Sequence, residues 1–356
     1  MIAATTNTTI VKSSKSRLHE VDWENLGFGK VFSDHMATIV YRDGQWQNPE
    51  IKPYGSLNLS PAISALHYGQ AIFEGLKAYK NDQGEVLIFR PEKNAERLNV
   101  SAARMCMPAL PVELFMDTIN QLINIDKDWI PKGDGESLYI RPHMFATDEY
   151  VGVKPSDTYL FVVFTCPVGK YYTNELKVKI ETNYTRAVRG GTGHAKAAGN
   201  YGAALFPTQI AKDAGYDQVL WTDSQNHEYF EESGTMNVMF LTGRTLLSPS
   251  LSDSILDGVT RNSVLQLARD WGYQVEERKV SVAEIVDLLK QDKLDGAFGV
   301  GTAATIAPIC LINHEGIDYS VGKHDSSDFA SRVSNYLDRL KHGREEDKHL
   351  WNYKIR

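Results

Sequence analysis

The amino-acid sequence predicts an α+β protein with mixed sheets, arranged as two domains. Three observations point there. The chain has 356 residues, enough for two domains of ordinary size with separate cores. Short runs rich in β-branched and aromatic residues intermix with helical patterns in both halves. Near residue 170 an apolar strand ends at Pro167-Val-Gly169 and gives way to a polar, tyrosine-rich stretch over 170–177. The expected layout is a disordered tail over 1–20, a smaller N-terminal domain over 21–170, a linker over 171–180 and a larger C-terminal domain over 181–356 that carries the chemistry.

Taken in chain order, the tail is rich in Ser and Thr, carries Lys12, Lys15 and Arg17, and has no acid before Glu20. That composition suits disorder, and a mitochondrial transit peptide, the alternative, would need more than one arginine. Residues 86–89, 138–140 and 159–166 read as strands. Pro91 takes a first helical position, and the pattern behind it runs to about Met105. Over 112–125, Phe115, Ile119, Leu122 and Ile123 fall on one helix face. In the second half, 218–221 and 238–242 read as strands. Thr260 is expected to cap a helix with Val264, Leu265, Ala268 and Trp271 on one face and Gly272 as its stop. Ser281-x-x-Glu284 is a capping box opening another helix, and 328–341 forms a last one on Phe329, Val333, Leu337 and Leu340.

Composition excludes several functions. A net charge of -7 and a pI near 5.8 oppose non-specific nucleic-acid binding, which needs a basic surface. No run approaches the length of a transmembrane helix. Cys106, Cys166 and Cys310 form no C-x-x-C pair, so neither a metal site nor a redox motif is expected; they read as reduced, mostly buried thiols of a cytoplasmic protein.

The chemistry gathers in the second half. Arg189-Gly-Gly-Thr-Gly-His-Ala-Lys196-Ala-Ala-Gly-Asn-Tyr201 sets a lysine in a glycine-rich stretch with no Walker spacing. Glu231-Glu232-Ser-Gly-Thr-Met-Asn237 places carboxylates before an apolar strand. Leu256-Asp-Gly258-Val-Thr260-Arg261 runs from a glycine turn into a helix start, a ready anion site. Gly299-Val-Gly301-Thr302-Ala303-Ala304 is a second small-residue turn. Singly, each has an ordinary structural explanation: a solvated lysine or acid, a capped turn, a tight corner. Together they supply an amine, an acid and two anion cradles, the requirements of pyridoxal 5'-phosphate.

The ordered motifs Phe28-Gly-Lys-Val-Phe-Ser-Asp-His, Leu66-His-Tyr-Gly, Phe73-Glu-Gly-Leu-Lys-Ala-Tyr79, Leu138-Tyr-Ile-Arg-Pro142, Cys166-Pro-Val-Gly169, Gly-Gly-Thr-Gly-x-x-Lys196, Glu232-x-Gly-Thr-Met-Asn237 and Gly301-Thr-Ala-Ala304 span the chain from about Phe28 onward. In them the sequence resembles the branched-chain amino-acid aminotransferases of the pyridoxal-phosphate fold type IV. The resemblance implies that Lys196 bonds the cofactor as a Schiff base and moves the proton, that Glu232 pairs with the ring nitrogen, and that Tyr201 bonds the ring oxygen. Arg97, Val259, Thr260 and Thr302 would hold the phosphate, with Arg186 and Thr235 also at the cofactor. Nothing local separates Arg97 from Arg90 or Arg104, and without the resemblance an ion pair on its own helix is the simpler reading. Phe28, Phe73, Tyr139 and Tyr171 would wall the side-chain pocket, Thr302 and Ala303 would hold the substrate carboxylate, and Arg141 the distal carboxylate of glutamate. Tyr68 and Val153 would come from the partner of a homodimer with shared sites.

The implied activity is ping-pong transfer of the amino group of L-leucine, L-isoleucine or L-valine to 2-oxoglutarate. The C-x-x-C redox pair of the animal mitochondrial members is replaced by Ala304 and Ala307, so that switch is not expected. D-amino-acid aminotransferases and aminodeoxychorismate lyases share the lysine and glutamate. The long N-terminal region with the Leu-Tyr-Ile-Arg and Phe-Glu-Gly-Leu-Lys motifs favours the branched-chain group.

Overall fold

The computed structural model describes residues 7–172, 174–322 and 328–356. The chain divides into two compact units, one of residues 1–171, 195–198 and 338–356, the other of 172–194 and 199–337.

Among the described residues of the first unit a 10-stranded sheet runs in the spatial order Thr9–Ile10, Glu50–Pro53, His35–Arg42, Tyr159–Val168, Ser137–Ala146, Leu76–Lys80, Val86–Phe89 and Asn352–Lys354, with Gln45–Trp46 beside His35–Arg42 and Ala71–Phe73 beside Ser137–Ala146. Its central pair, Ser137–Ala146 against Tyr159–Val168, is antiparallel over ten matched residues, Ser137 opposite Val168 through Ala146 opposite Tyr159. The helices Pro91–Arg104 and Val112–Ile125 pack on it, the second through buried Phe115, Ile119, Leu122 and Ile123, the face expected from their spacing. Pro91 is at the start of its helix, behind Arg90 in a left-handed conformation with φ 50°.

Among the described residues of the second unit a 9-stranded sheet runs Phe230–Ser233, Gln218–Thr222, Leu176–Ile180, Thr305–His314, Gly296–Gly301, Met236–Thr242, Thr245–Pro249 and Gln274–Arg278, with Ile317–Ser320 beside Thr305–His314. Parallel and antiparallel pairs both occur, for example Leu176–Ile180 parallel to Gln218–Thr222, and Met236–Thr242 antiparallel to Gly296–Gly301. Its core is built from Val238, Phe240, Ala297, Ile309 and Ile312 with Ile285 and Leu289 of the helix Val282–Lys290. That helix is capped by Ser281, whose hydroxyl accepts from the Glu284 N–H at 3.1 Å. The box is half closed, because the Glu284 carboxylate turns to Arg278 instead.

The structure departs from the sequence expectations in four places. Thr9–Ile10 pairs parallel with Glu50–Ile51, and the Arg17 N–H donates to Asp34 at 2.8 Å, so residues 7–20 are bound to the sheet rather than a loose tail; residues 1–6 of that expectation lie outside the described residues. The segment 338–356 groups with the first unit, since Asn352–Lys354 extends its sheet along Val86–Phe89, and 195–198 does so too. Thr173, within the expected linker, lies outside the described residues. Gly258, not Thr260, caps the helix Val259–Asp270, and no side chain caps it; Thr260 is inside the helix and buried. Of the three free thiols only Cys166 is buried, whereas Cys310 is half-buried and Cys106 is exposed.

Candidate active site

In the first unit Lys196 is pinned on both sides of its Cα. Its carbonyl accepts from the Phe73 N–H at 3.1 Å, its own N–H donates to Ser101 Oγ at 2.9 Å, and Ala197 bridges Ile72. The backbone is thereby fixed while the side chain stays half-buried, with Nζ 5.0 Å from the centroid of the Phe73 ring.

Four of the expected pocket residues come together around that ring system. Phe28 meets Tyr139 edge-on at 4.8 Å and Tyr171 at 5.0 Å. The Arg141 guanidinium lies 4.7 Å from the Phe73 centroid and 5.2 Å from that of Tyr139, and its Nη2 donates to the Tyr139 hydroxyl at 3.0 Å. Arg141 Nε is buried and has no hydrogen-bond partner among the described residues, a donor that an incoming acceptor would satisfy. Gly75 makes room for this arrangement, because a Cβ there would stand 2.3 Å from the Tyr139 oxygen. Behind Arg141 on the same strand, His143 is held neutral: burial and then the Arg141 charge push its pKa down to about 4.

Arg97 reaches a carboxylate outside its own helix. It forks onto Glu74, Nε to Oε1 and Nη2 to Oε2, both at 2.8 Å. Glu74 is fully buried and also accepts from Asn94 Nδ2 at 2.8 Å and the Gly75 N–H at 3.2 Å. Burial opposes its ionised form, but Arg97 and then the charge of Lys196 hold the carboxyl below the ordinary range.

In the second unit Glu232 lies on the strand Phe230–Ser233, which turns through Gly234 and exposed Thr235 into Met236–Thr242. Its Oε1 accepts from the Leu256 N–H at 2.8 Å, and its Oε2 stands 3.2 Å from Arg186 Nε, charges in contact without an aligned hydrogen bond. Three residues past Leu256 begins the uncapped helix Val259–Asp270, so a carboxylate and a helix N-terminus share one turn. Asn237 Nδ2 donates to the Leu256 carbonyl at 2.9 Å, and its Oδ1 fills the space a Cβ on Gly258 would need, 2.1 Å away. The glycine-rich stretch is tied to the helix Ala198–Asp213 by Asn200, which donates to the Thr192 carbonyl at 2.8 Å and meets the Thr192 hydroxyl at 2.7 Å. Tyr201 is half-buried in the first turn of that helix. Thr302 and Ala303 are half-buried in the turn between Gly296–Gly301 and Thr305–His314.

Tyr68 and Val153 are not part of these clusters. The Tyr68 hydroxyl donates to the Val151 carbonyl, and Val153 is 86% exposed. Sequence reasoning missed Glu74, Ser101, Asn237 and Glu231. Glu74, Glu231 and Asn237 stand in the motifs, but their partners, 23, 23 and 19 residues distant, obey no local period. Ser101 carried no signal.

The class IV aminotransferase pattern matches residues 71–312. The chain is 41% identical over 355 residues to branched-chain-amino-acid aminotransferase 2 of Bacillus subtilis, covering 99% of this chain and 98% of that one. It is 41% identical over 336 residues to the branched-chain-amino-acid aminotransferase of Mycolicibacterium smegmatis, covering 92% and 91%. The chain belongs to the branched-chain-amino-acid aminotransferases. The fold agrees: the solved enzyme of Escherichia coli, 25% identical, superposes with a TM-score of 0.72 over 90% of this chain and 99% of that one. The enzyme of Thermoproteus uzoniensis, 23% identical, gives 0.74 over 90% and 100%.

The donor set of this aminotransferase fits pyridoxal 5'-phosphate. The first unit holds a half-buried lysine and a clamped arginine, and the second a buried carboxylate and a helix start with no side-chain cap, which are the donor types that an aldehyde, a ring nitrogen and a phosphate call for. Among the described residues no group of three or more His, Cys, Asp or Glu could hold a metal ion, and no helix is long and apolar enough to cross a membrane.

Proposed function

We propose that this branched-chain-amino-acid aminotransferase moves the amino group of L-leucine, L-isoleucine or L-valine to 2-oxoglutarate through the residues described above. Pyridoxal phosphate, when bound, supplies the electron sink that makes loss of the substrate's Cα proton feasible. Lys196 Nζ takes that proton and returns it; its pinned backbone leaves only the side chain to swing. Glu232 holds the ring nitrogen, and Tyr201 the ring oxygen. Arg97, the N–H groups of Val259 and Thr260, and Thr302 hold the phosphate, with Arg186 and Thr235 beside the cofactor. The N–H groups of Thr302 and Ala303 bind the substrate's α-carboxylate.

The observation that carries the substrate reading is Arg141 lying against Phe73 and Tyr139 with its Nε unmet. A pocket for branched-chain amino acids and glutamate alike must accept an isobutyl group and a propionate. Phe28, Phe73, Tyr139 and Tyr171 offer apolar faces, while Arg141 offers a charge packed among those rings, reachable by a carboxylate and hidden from a methyl group. Exposed Tyr68 and Val153 suit a homodimer in which each serves the partner's site, and the protein is read as cytoplasmic.

The test is the absorbance of the purified protein before and after L-leucine, with no oxo acid present. Conversion of the aldehyde-form band to the amine-form band by L-leucine, but not by D-alanine, is expected. A band that ignores L-leucine would instead favour a D-specific or lyase activity.

A further inference from the structure

We propose that Glu74 is a positioning residue for the phosphate arginine, fixing the Arg97 guanidinium in one orientation before the cofactor arrives; this rests on the reading of Arg97 as a phosphate ligand. Two parallel hydrogen bonds of 2.8 Å, on Nε and Nη2, define the plane of the guanidinium and so the direction of its remaining edge. The clamp is itself immobile. Glu74 is 0% exposed, its own N–H donates to the Pro142 carbonyl at 2.7 Å, and Asn94 and Gly75 donate to its Oε2. Asn94 sits one turn before Arg97, so the helix Pro91–Arg104 turns amide and guanidinium toward the same carboxylate.

What Glu74 contributes is direction rather than charge. Arginine and carboxylate together are neutral, so the pair attracts a phosphate dianion less than a lone arginine would. The gain lies in side-chain freedom already lost, which an unclamped arginine would give up on binding. Phe73, the neighbour of Glu74, holds the Lys196 carbonyl, so two adjacent residues set both the lysine and the arginine.

The measurement compares dissociation constants of pyridoxal 5'-phosphate and of pyridoxal, titrated into the cofactor-free full chain and read by absorbance. Their ratio isolates the phosphate. Glu74→Asp keeps the charge but cannot reach both nitrogens, whereas Glu74→Gln keeps the length and loses the charge. Positioning predicts that both variants lower the phosphate preference, by about tenfold for one charge-assisted bond lost. A counter-charge role predicts a higher preference in Glu74→Gln and no change in Glu74→Asp, and either result overturns the proposal. Equal weakening of both ligands would reduce Glu74 to a structural residue. If Glu74→Gln fails to fold, Glu74→Asp alone decides. Arg97→Gln separates the two levels: an unchanged preference removes Arg97 from the phosphate, while a lowered one with both Glu74 variants normal removes only the clamp.

Discussion

Each unit buries an arginine against glutamate, and the two clusters are built differently. In the first, one arginine meets one carboxylate in a fork, and every acceptor named on Glu74 is engaged. In the second, Arg186 meets one carboxylate directly and a second one by charge alone. It touches Glu232 at 3.2 Å, and its Nη2 donates to the carbonyls of Gly193, at 3.2 Å, and Ser254. Glu231 is 7% exposed and reaches the group only through the Ser254 hydroxyl, and its Oε2 has no hydrogen-bond partner among the described residues. Burial above all, helped by the charges of Glu232 and Asp223 and opposed by Ser254 and Arg186, pushes the Glu231 carboxyl up to about 7. A one-to-one pair keeps its carboxylate ionised; a one-to-two group stores a proton on the carboxylate with the poorer share of the cation.

Breaking the balanced cluster should produce the largest effect. Arg97→Met leaves Glu74 charged, buried and unpaired, and is expected to cost about 3–5 kcal/mol of stability at neutral pH. Urea unfolding measures this, and a loss under 1 kcal/mol would show that the fork is not rigidly held. For the unbalanced cluster the signature is pH. The folded Glu231 binds a proton up to about 7, whereas the unfolded carboxyl releases it near 4.5. Between those values the folded state holds the extra proton, so its stability falls as pH rises, and the effect is complete above about 7. Glu231→Gln should flatten the stability profile across that window by up to roughly 3 kcal/mol. A profile identical to that of the natural protein would place the proton elsewhere.

Within the same group, Glu232→Gln should lower kcat by about 100-fold, near 2.7 kcal/mol, while weakening cofactor affinity less. A variant with full kcat would remove Glu232 from the ring nitrogen. Ser281→Ala supplies a yardstick of about 1 kcal/mol for the loss of a helix cap. Cluster variants that cost no more than this would dissolve the contrast.

The helices show how far the sequence alone reaches. Pro91 and Ser281 mark starts that the structure keeps, because a fixed φ and a capping hydroxyl act within one turn. Thr260 carried the same kind of signal and misled. Gly258 takes the cap position ahead of it, in an extended conformation of φ -73° and ψ 123°, and leaves the helix start without a side-chain cap. Local chemistry favoured a hydroxyl cap; the contact of Gly258 with Asn237, 21 positions earlier, decided otherwise.

From its sequence alone this protein shows its α+β class, its family and most of its helix and strand positions. Those depend on periodicity, turn residues and motif order, which are encoded along the chain. The partner of Arg97, the proton on Glu231, the binding of residues 7–20 to a sheet and the return of 338–356 to the first unit are tertiary outcomes. Each depends on which distant groups burial brings within 3 Å, and on the dielectric around them, and neither quantity has a counterpart in linear spacing.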